Sequence, residues 1–443
     1  MKTNGHRPHR VTSTRVLTVA ACAPLLALLA TGCASTGTGA AAASSAKPSK
    51  ASKCGLGNGK TATGPAIKLG AIVSDTPGLS FTDVTDMANA YFSCVNANGG
   101  INGRPVKLVV EKDALDPQLT ASLATKLIDT EKIVGFTASS SVLDCSVNAK
   151  TYEKKAVYGI DAGLALDCFN SPAIAPVNVG ASYSALATAQ YLLDKGAKKL
   201  VVFTSNTPGS NAINASIKEL GKKAGVPVTA WVENVPVADA NGLALKAAQA
   251  AGAGGGVVAN LNAGEALKVF KAIEQQGLID QAIWGCPAGC NDQSMLQQLG
   301  SAWDGKLGVN AEMNLASSPG PDNQLYLQLR QKYAPKTQLG NFGQLGFTAA
   351  RIAVQALLSI KSGDYTTATV GAAFKGVKDY RSDLYCKPWY FGTQAFHTAN
   401  NTTRTITPKS GQWVQAQDCS EMPALPNNNF AEIRAYEKQI GLG

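Results

Sequence analysis

Histidine is almost missing from this chain, with three residues in 443: His6, His9 and His397. A Ser-His-Asp or Cys-His relay needs an imidazole beside a nucleophile. The first two histidines fall in a basic leader, and His397 sits in the polar stretch 394–402 with no nucleophile motif around it. A surface or packing role suits it better, and the chain is not expected to be an enzyme. Acidic residues are absent from everything before Ile67, where eight of the 40 basic residues lie. The formal charge of +10 is therefore local: 32 basic residues face 30 acidic ones from Ile67 to Gly443. A nearly neutral body excludes a nucleic-acid partner and points the basic excess toward export and an anionic membrane surface.

Other absences narrow the chemistry further. No second uncharged apolar run approaches 18 residues, so no later membrane span is expected. Cys286-Pro-Ala-Gly-Cys290 has CxxxC spacing and no second pair at zinc-finger distance, so no metal is expected. The glycine run Gly252–Gly256 precedes a strand instead of following one, and no Gly-Lys-Ser/Thr accompanies it. No cofactor is expected either.

What is present begins with the leader. Val16–Ala30 is apolar or small throughout, 15 residues spanning roughly 22 Å as a helix, short of the ~30 Å hydrocarbon core. A basic start, a short apolar centre and a small-residue exit describe a secretory signal. Leu29-Ala-Thr-Gly-Cys33 resembles a bacterial lipobox, with Ala30 where the usual leucine stands. That resemblance implies a signal peptide over 1–32 and a lipidated Cys33. The stretch 34–53 lacks aromatic and branched aliphatic residues, so it cannot offset its ordering entropy. A flexible tether is expected over 33–66.

Eight cysteines remain in the exported part: Cys54, Cys94, Cys145, Cys168, Cys286, Cys290, Cys386 and Cys419. An even number in an exported chain predicts disulfides, although eight cysteines allow 105 pairings. Proximity along the chain favours 54–94, 145–168, 286–290 and 386–419.

Periodicity predicts alternating strands and helices. Lys68–Val73, Pro105–Glu111, Ile133–Phe136 and Ala156–Ile160 read as strands, with helices over Thr82–Asn96 and Leu119–Thr130. The rhythm resumes with helices Tyr183–Asp194, Ser210–Ala224, Gly242–Ala251 and Gly264–Gln276. Their strands are Lys199–Thr204, Val226–Val232, Gly256–Asn260, Ala282–Gly285 and Lys306–Met313. Such βαβ units demand parallel sheets covered on both faces. Helices near Asp322–Tyr333, Phe342–Ile360 and Thr367–Val377 follow, then antiparallel strands Thr403–Ile406 and Trp413–Ala416. A body of about 375 residues is too large for one core, so an α/β fold of two lobes is expected. Open parallel sheets bind ligands beyond their carboxyl-terminal strand ends. The loops there are Ser74–Phe81, Thr137–Val142, Asp161–Leu166, Ser205–Ser210, Leu261–Gly264 and Cys286–Asp292.

Asn96-Ala-Asn-Gly-Gly-Ile-Asn-Gly-Arg-Pro105, the strand after it, Asp116-Pro117 and Val134-Gly-Phe-Thr-Ala-Ser-Ser-Ser141 together resemble the Leu/Ile/Val-binding family. These are type 1 periplasmic substrate-binding proteins of ABC transporters. The resemblance implies two Rossmann-like lobes with parallel sheets joined by three crossovers, placed near Pro176–Ser182, Val309–Asn314 and Phe391–Thr398. The first lobe would comprise 67–180 and 312–393, the second 181–311 and 394–443. It further implies a small-molecule ligand clamped between the lobes and handed to a permease. The family's carboxylate site maps to Ser139 or Ser140 and to backbone at Ala162, Gly163 and Leu164. Phe81 would cover the ligand, and Thr207, Asn262 and Ala288 would face it from the second lobe. Where amino-acid-binding members place a carboxylate for the ligand ammonium, this chain has the Cys286–Cys290 loop. The nearest acid there is Asp292, so an unmodified α-amino acid lacks a counter-charge.

Two functions fit: a lipid-anchored solute-binding protein serving an ABC permease, or a ligand-sensing surface lipoprotein of the same fold without transport. A secreted enzyme is a distant third.

Overall fold

The computed structural model describes Ser52–Gly392 and Gln394–Leu442. The signal segment, Cys33 and most of the expected tether lie outside these residues. In the first lobe, β1 (Ile67–Val73) is buried at every position but Lys68, as a strand covered on both faces must be. A short hairpin follows, β2 (Asp75–Thr76) and β3 (Leu79–Ser80). Helix α1 (Thr82–Asn96) then buries Val84, Met87, Ala88, Tyr91, Phe92 and Val95 along one stripe.

The turn into β4 (Val106–Lys112) carries the Asn-Gly-Gly-Ile-Asn-Gly-Arg motif. Gly100 has φ +58°, and a Cβ there would fall 2.3 Å from the Arg104 carbonyl oxygen, so only glycine fits. Asn102 Nδ2 donates to the Tyr365 hydroxyl at 3.1 Å, and the Arg104 guanidinium lies 5.0 Å over that ring. The motif therefore builds the amino-terminal end of β4. It holds the fold and leaves the ligand to the other end of the sheet.

Helix α2 (Pro117–Thr125) starts from an Asp116 cap with proline at its first position and runs on through a π-helical turn, Lys126–Thr130. The lobe continues with β5 (Phe136–Thr137), α3 (Asp144–Lys155), β6 (Gly159–Asp161) and β7 (Ile174–Pro176). Its sheet order is β4-β1-β5-β6-β7, all parallel. The second lobe repeats the plan with α4 (Gly180–Asp194), β8 (Leu200–Ser205), α5 (Ser210–Ala224), β9 (Val228–Glu233) and α6 (Ala240–Ala251). Then come β10 (Gly256–Asn260), α7 (Ala263–Gln275), β11 (Ile283–Cys286), α8 (Gln293–Gln298) and β12 (Leu307–Ala311). Its parallel strands run β9-β8-β10-β11-β12. Counting parallel strands within each lobe, both orders are 2-1-3-4-5, the doubly wound arrangement whose ligands bind where the order reverses.

The chain returns to the first lobe as α9 (Pro321–Tyr333), α10 (Asn341–Leu358) and α11 (Thr367–Lys375). There α10 packs on α1, with Tyr91 edge-on to Phe347 at 5.4 Å. A third crossing adds β13 (Thr402–Lys409) and β14 (Gln412–Glu421), antiparallel at the edge of the second sheet. Asn400 Nδ2 reaches the carbonyls of Val177 and Glu312, both at 3.2 Å, and so bonds all three crossovers together. Trp389 Nε1 donates to Pro176 O at 2.9 Å beside it.

The structure departs from the sequence reading in several places. Residues 52–66 do not run free as a tether. Ser52 Oγ donates to Asp322 at 2.5 Å, Cys54 is bridged to Cys94, and Ala62 N and Gly64 N bond Asn96 O and Gly103 O. The last stretch, expected wholly in the second lobe, ends in α12 (Phe430–Gln439), which packs on the first. Glu437 fixes it there, taking bonds from Lys387, Tyr390 and Asn401. Six elements went unread: the short β2, β3 and β7, and the helices α3, α8 and α12. His397 is a packing residue, with Nδ1 2.7 Å from Ile174 O and burial lowering its pKa to about 4. The disulfides are 54–94, 145–168, 286–290 and 386–419, the pairs that proximity favours. Among the described residues no helix is long and apolar enough to cross a membrane.

Candidate functional site

A cleft of about 890 Å³, its mouth included, opens between the two lobes. All six strand-end loops expected at a ligand site contribute to it. The walls differ in kind. From the first lobe come Leu79 and Phe81 after β1, Val142 after β5, Leu164 and Leu166 after β6, and Phe342 at the start of α10. Phe81 meets Phe342 edge-on at 5.1 Å, making an aromatic floor. From the second lobe come Ser205, Thr207 and Gly209 after β8, Asn260 and Asn262 after β10, the Pro287–Gly289 loop after β11, and Ser182 on α4. This wall carries hydroxyl and amide side chains, with Pro208, Ile213 and Leu261 lining it beside them.

Five of the nine expected ligand residues line the cleft: Phe81, Leu164, Thr207, Asn262 and Ala288. The other four do not, for reasons of bonding. Ser139 Oγ accepts from Ile72 N at 3.3 Å, and its N–H donates to buried Asp161 at 2.8 Å. Ser140 Oγ donates to Phe81 O at 3.2 Å, and its N–H pairs with Ile72 O. Ala162 N bonds Ser139 O, while Gly163 O accepts from Asn178 Nδ2 at 2.8 Å. Ser141, last of the run, accepts from Leu143 N and Asp144 N at 3.0 and 2.8 Å where the chain enters α3. The serine run thus closes the sheet and starts a helix. Burial pushes Asp161 up to about 8, and the Ser139 amide that a ligand carboxylate would need already donates to it.

Asn262 lines the cleft, yet both ends of its side chain are engaged. Its Oδ1 caps α7 by accepting from Glu265 N at 3.0 Å, and its Nδ2 donates across the cleft mouth to Gly78 O in the β2–β3 turn. It links the lobes. Ser184 is engaged as well, donating to Asn310 Oδ1 at 2.9 Å and accepting from Ala288 N at 2.7 Å. The Cys286–Cys290 bridge closes the loop that carries Ala288.

Sequence reading missed the cleft's ionisable group. Glu312 follows β12 directly, lines the cavity and is 3% exposed. Its carboxyl accepts from Asn341 Nδ2 at 2.7 Å and from the backbone N–H groups of Gly180 and Val179. Burial outweighs those donors and pushes its pKa up to about 7. The expectation that the site offers no counter-charge is corrected by this residue. Expected Asp292, by contrast, is the cap of α8 and lies outside the cavity. The strand-end rule would have found Glu312 had the strand been ended at Ala311. Reading it on to Met313 put Glu312 inside the sheet. Asn178 was missed similarly, because β7 before it was not recognised.

The sequence profile described as "Periplasmic binding protein" matches residues 66–412. Among solved structures, a fatty acid ABC transporter substrate-binding protein from Thermomonospora curvata is 18% identical, with TM-score 0.71 over 83% of this chain and 95% of that one. A branched chain amino acid ABC transporter from Thermus thermophilus with bound valine is 17% identical, with TM-score 0.71 over 83% and 100%. A Rhodopseudomonas palustris solute binding protein in complex with benzoate is 16% identical, with TM-score 0.68 over 81% and 98%. At these identities the likeness is one of fold. A curated amino acid binding protein of Pseudomonas aeruginosa is 36% identical over 72 residues, which is 16% of this chain and 18% of that protein.

Proposed function

The chain belongs to the periplasmic binding protein family, and we propose that it is an extracytoplasmic solute-binding protein, anchored through a lipid on Cys33, that clamps a small amphipathic molecule and delivers it to an ABC permease. The observation that carries this reading is the cleft itself. Strand ends of two like-ordered sheets meet there, one wall apolar and one polar, and chain crossovers bonded by Asn400 form the hinge side. Such clefts close by hinge motion. Proteins of similar structure include a fatty acid ABC transporter substrate-binding protein, one with bound valine and one in complex with benzoate, and each of these molecules is an apolar body with a polar head.

Small-angle scattering tests the clamp. Protein stripped of ligand by unfolding and refolding should expand, and its own recovered ligand should compact it and raise its melting temperature. An unchanged profile with that ligand at saturation would refute it. For the anchor, Cys33→Ala should release the protein to the medium or leave it unprocessed; wild-type processing and membrane retention would exclude lipidation.

A further inference from the structure

At the hinge end of the cleft the polar groups are nearly all acceptors. Asn178 and Asn341 line the cavity and are each 1% exposed. Each amide's Nδ2 is committed, Asn178 to Gly163 O and Asn341 to Glu312, which fixes which way the amides point. Each amide's Oδ1 is buried without a hydrogen-bond partner. Glu312 stands between them in the chain's second crossover. An ionised carboxylate offers about four acceptor positions, and three are taken by Asn341 Nδ2 and the Val179 and Gly180 amides. No lysine, arginine or histidine lines the cavity to answer these oxygens. Buried acceptors without donors are costly, and a buried carboxylate without a cation more so. The missing donors have to arrive with the occupant.

We propose that the hinge end of the cleft receives a protonated amine, with Glu312 as its counter-charge and the Asn178 and Asn341 carbonyl oxygens as its further acceptors. This rests on the reading of the cleft as a small-molecule clamp and adds the direction in which the ligand lies. The ammonium points to the hinge, and its apolar body lies along Leu79, Phe81, Leu164 and Phe342. An ammonium brings three donors, one for each open acceptor. A carboxylate head brings none, and at this end it would face Glu312. The serines that the family resemblance offered to a carboxylate are engaged in the sheet.

Matched probes with one apolar body and different heads test the assignment on the native protein. Hexylamine, hexanamide and hexanoate form one set; 2-phenylethylamine, 3-phenylpropanamide and 3-phenylpropionate form another. Calorimetry at pH 8 on ligand-stripped protein should rank amine over amide over carboxylate in both sets. The amine should lead the carboxylate by at least 10-fold. Glu312→Gln should weaken the amine by about 10- to 150-fold, the range for a lost charge-assisted bond, and leave hexanoate equal or tighter. A carboxylate that outranks its amine overturns the proposal, and so does a panel in which no member binds. Failure of the clamp reading is seen separately, in scattering with the protein's own recovered ligand, which needs no assumption about its head group.

Discussion

The two walls of the cleft come from lobes with the same strand order, yet one is built of Leu79, Phe81, Val142, Leu164 and Phe342 and the other of Ser182, Ser205, Thr207 and Asn260. Equivalent backbone positions carry opposite chemistry. The strand-end rule says where a doubly wound sheet binds, but side chains decide what it binds. A ligand that satisfies both walls is apolar along one flank and hydrogen-bonding along the other.

Of the two walls, the apolar one should show the larger effect. Phe342→Ala removes a half-buried aromatic and should cost about 2 kcal/mol of binding, roughly 30-fold in Kd for the recovered ligand. Calorimetry reads it, and a change under threefold would mean the ligand does not lie on that wall. On the polar wall, Ser182→Ala or Ser205→Ala should each cost about 0.5–1.5 kcal/mol, or 2- to 10-fold. If either exceeds Phe342→Ala, the assignment of the walls is reversed.

The pH dependences of stability and of binding should run in opposite directions. Burial pushes Asp161 up to about 8, Glu312 to about 7 and Asp144 to about 6. A carboxyl whose folded pKa is raised holds its proton longer folded than unfolded. The stability it contributes is therefore full below its unfolded pKa near 4 and is lost as pH rises through the raised value. The melting temperature of the stripped protein should fall between pH 5 and 8.5, and a flat or rising profile would contradict the burial of these groups. Amine affinity should instead rise through pH 7 as Glu312 ionises. The groups facing Glu312 are Asn341, the Val179 and Gly180 amides and the Tyr385 phenol, whose pKa burial holds well above its ordinary value.

The smallest effect separates scaffold from site. Ser139→Ala loses the acceptor for Ile72 N and should destabilise the fold by about 1–3 kcal/mol. Ligand affinity should stay within twofold, because Ser139 does not line the cleft.

Elements with a clean apolar stripe were legible in the sequence. Helices Thr82–Asn96 and Ser210–Ala224 stand where periodicity predicts them. Helix α3 escaped because its inward face is Cys145, Asn148, Ala149 and Tyr152, half of it polar, and it buries Asp144 bonded to Asn148 and Tyr152. Strand β7 is three residues long, too short for any period to register. At the site, loops were placed well and roles less so. A serine can donate to a ligand, cap a helix or accept from a strand, and Ser139, Ser140 and Ser141 were claimed by sheet and helix. Glu312 shows the converse, since an error of two residues at a strand end hid the one charge in the cleft.

Native mass spectrometry of the exported protein beside its Phe342→Ala and Ser139→Ala variants tests the two-walled cleft most directly. The account predicts that wild type and Ser139→Ala carry the same small-molecule adduct and that Phe342→Ala has lost it. An adduct kept by Phe342→Ala and lost by Ser139→Ala would contradict it.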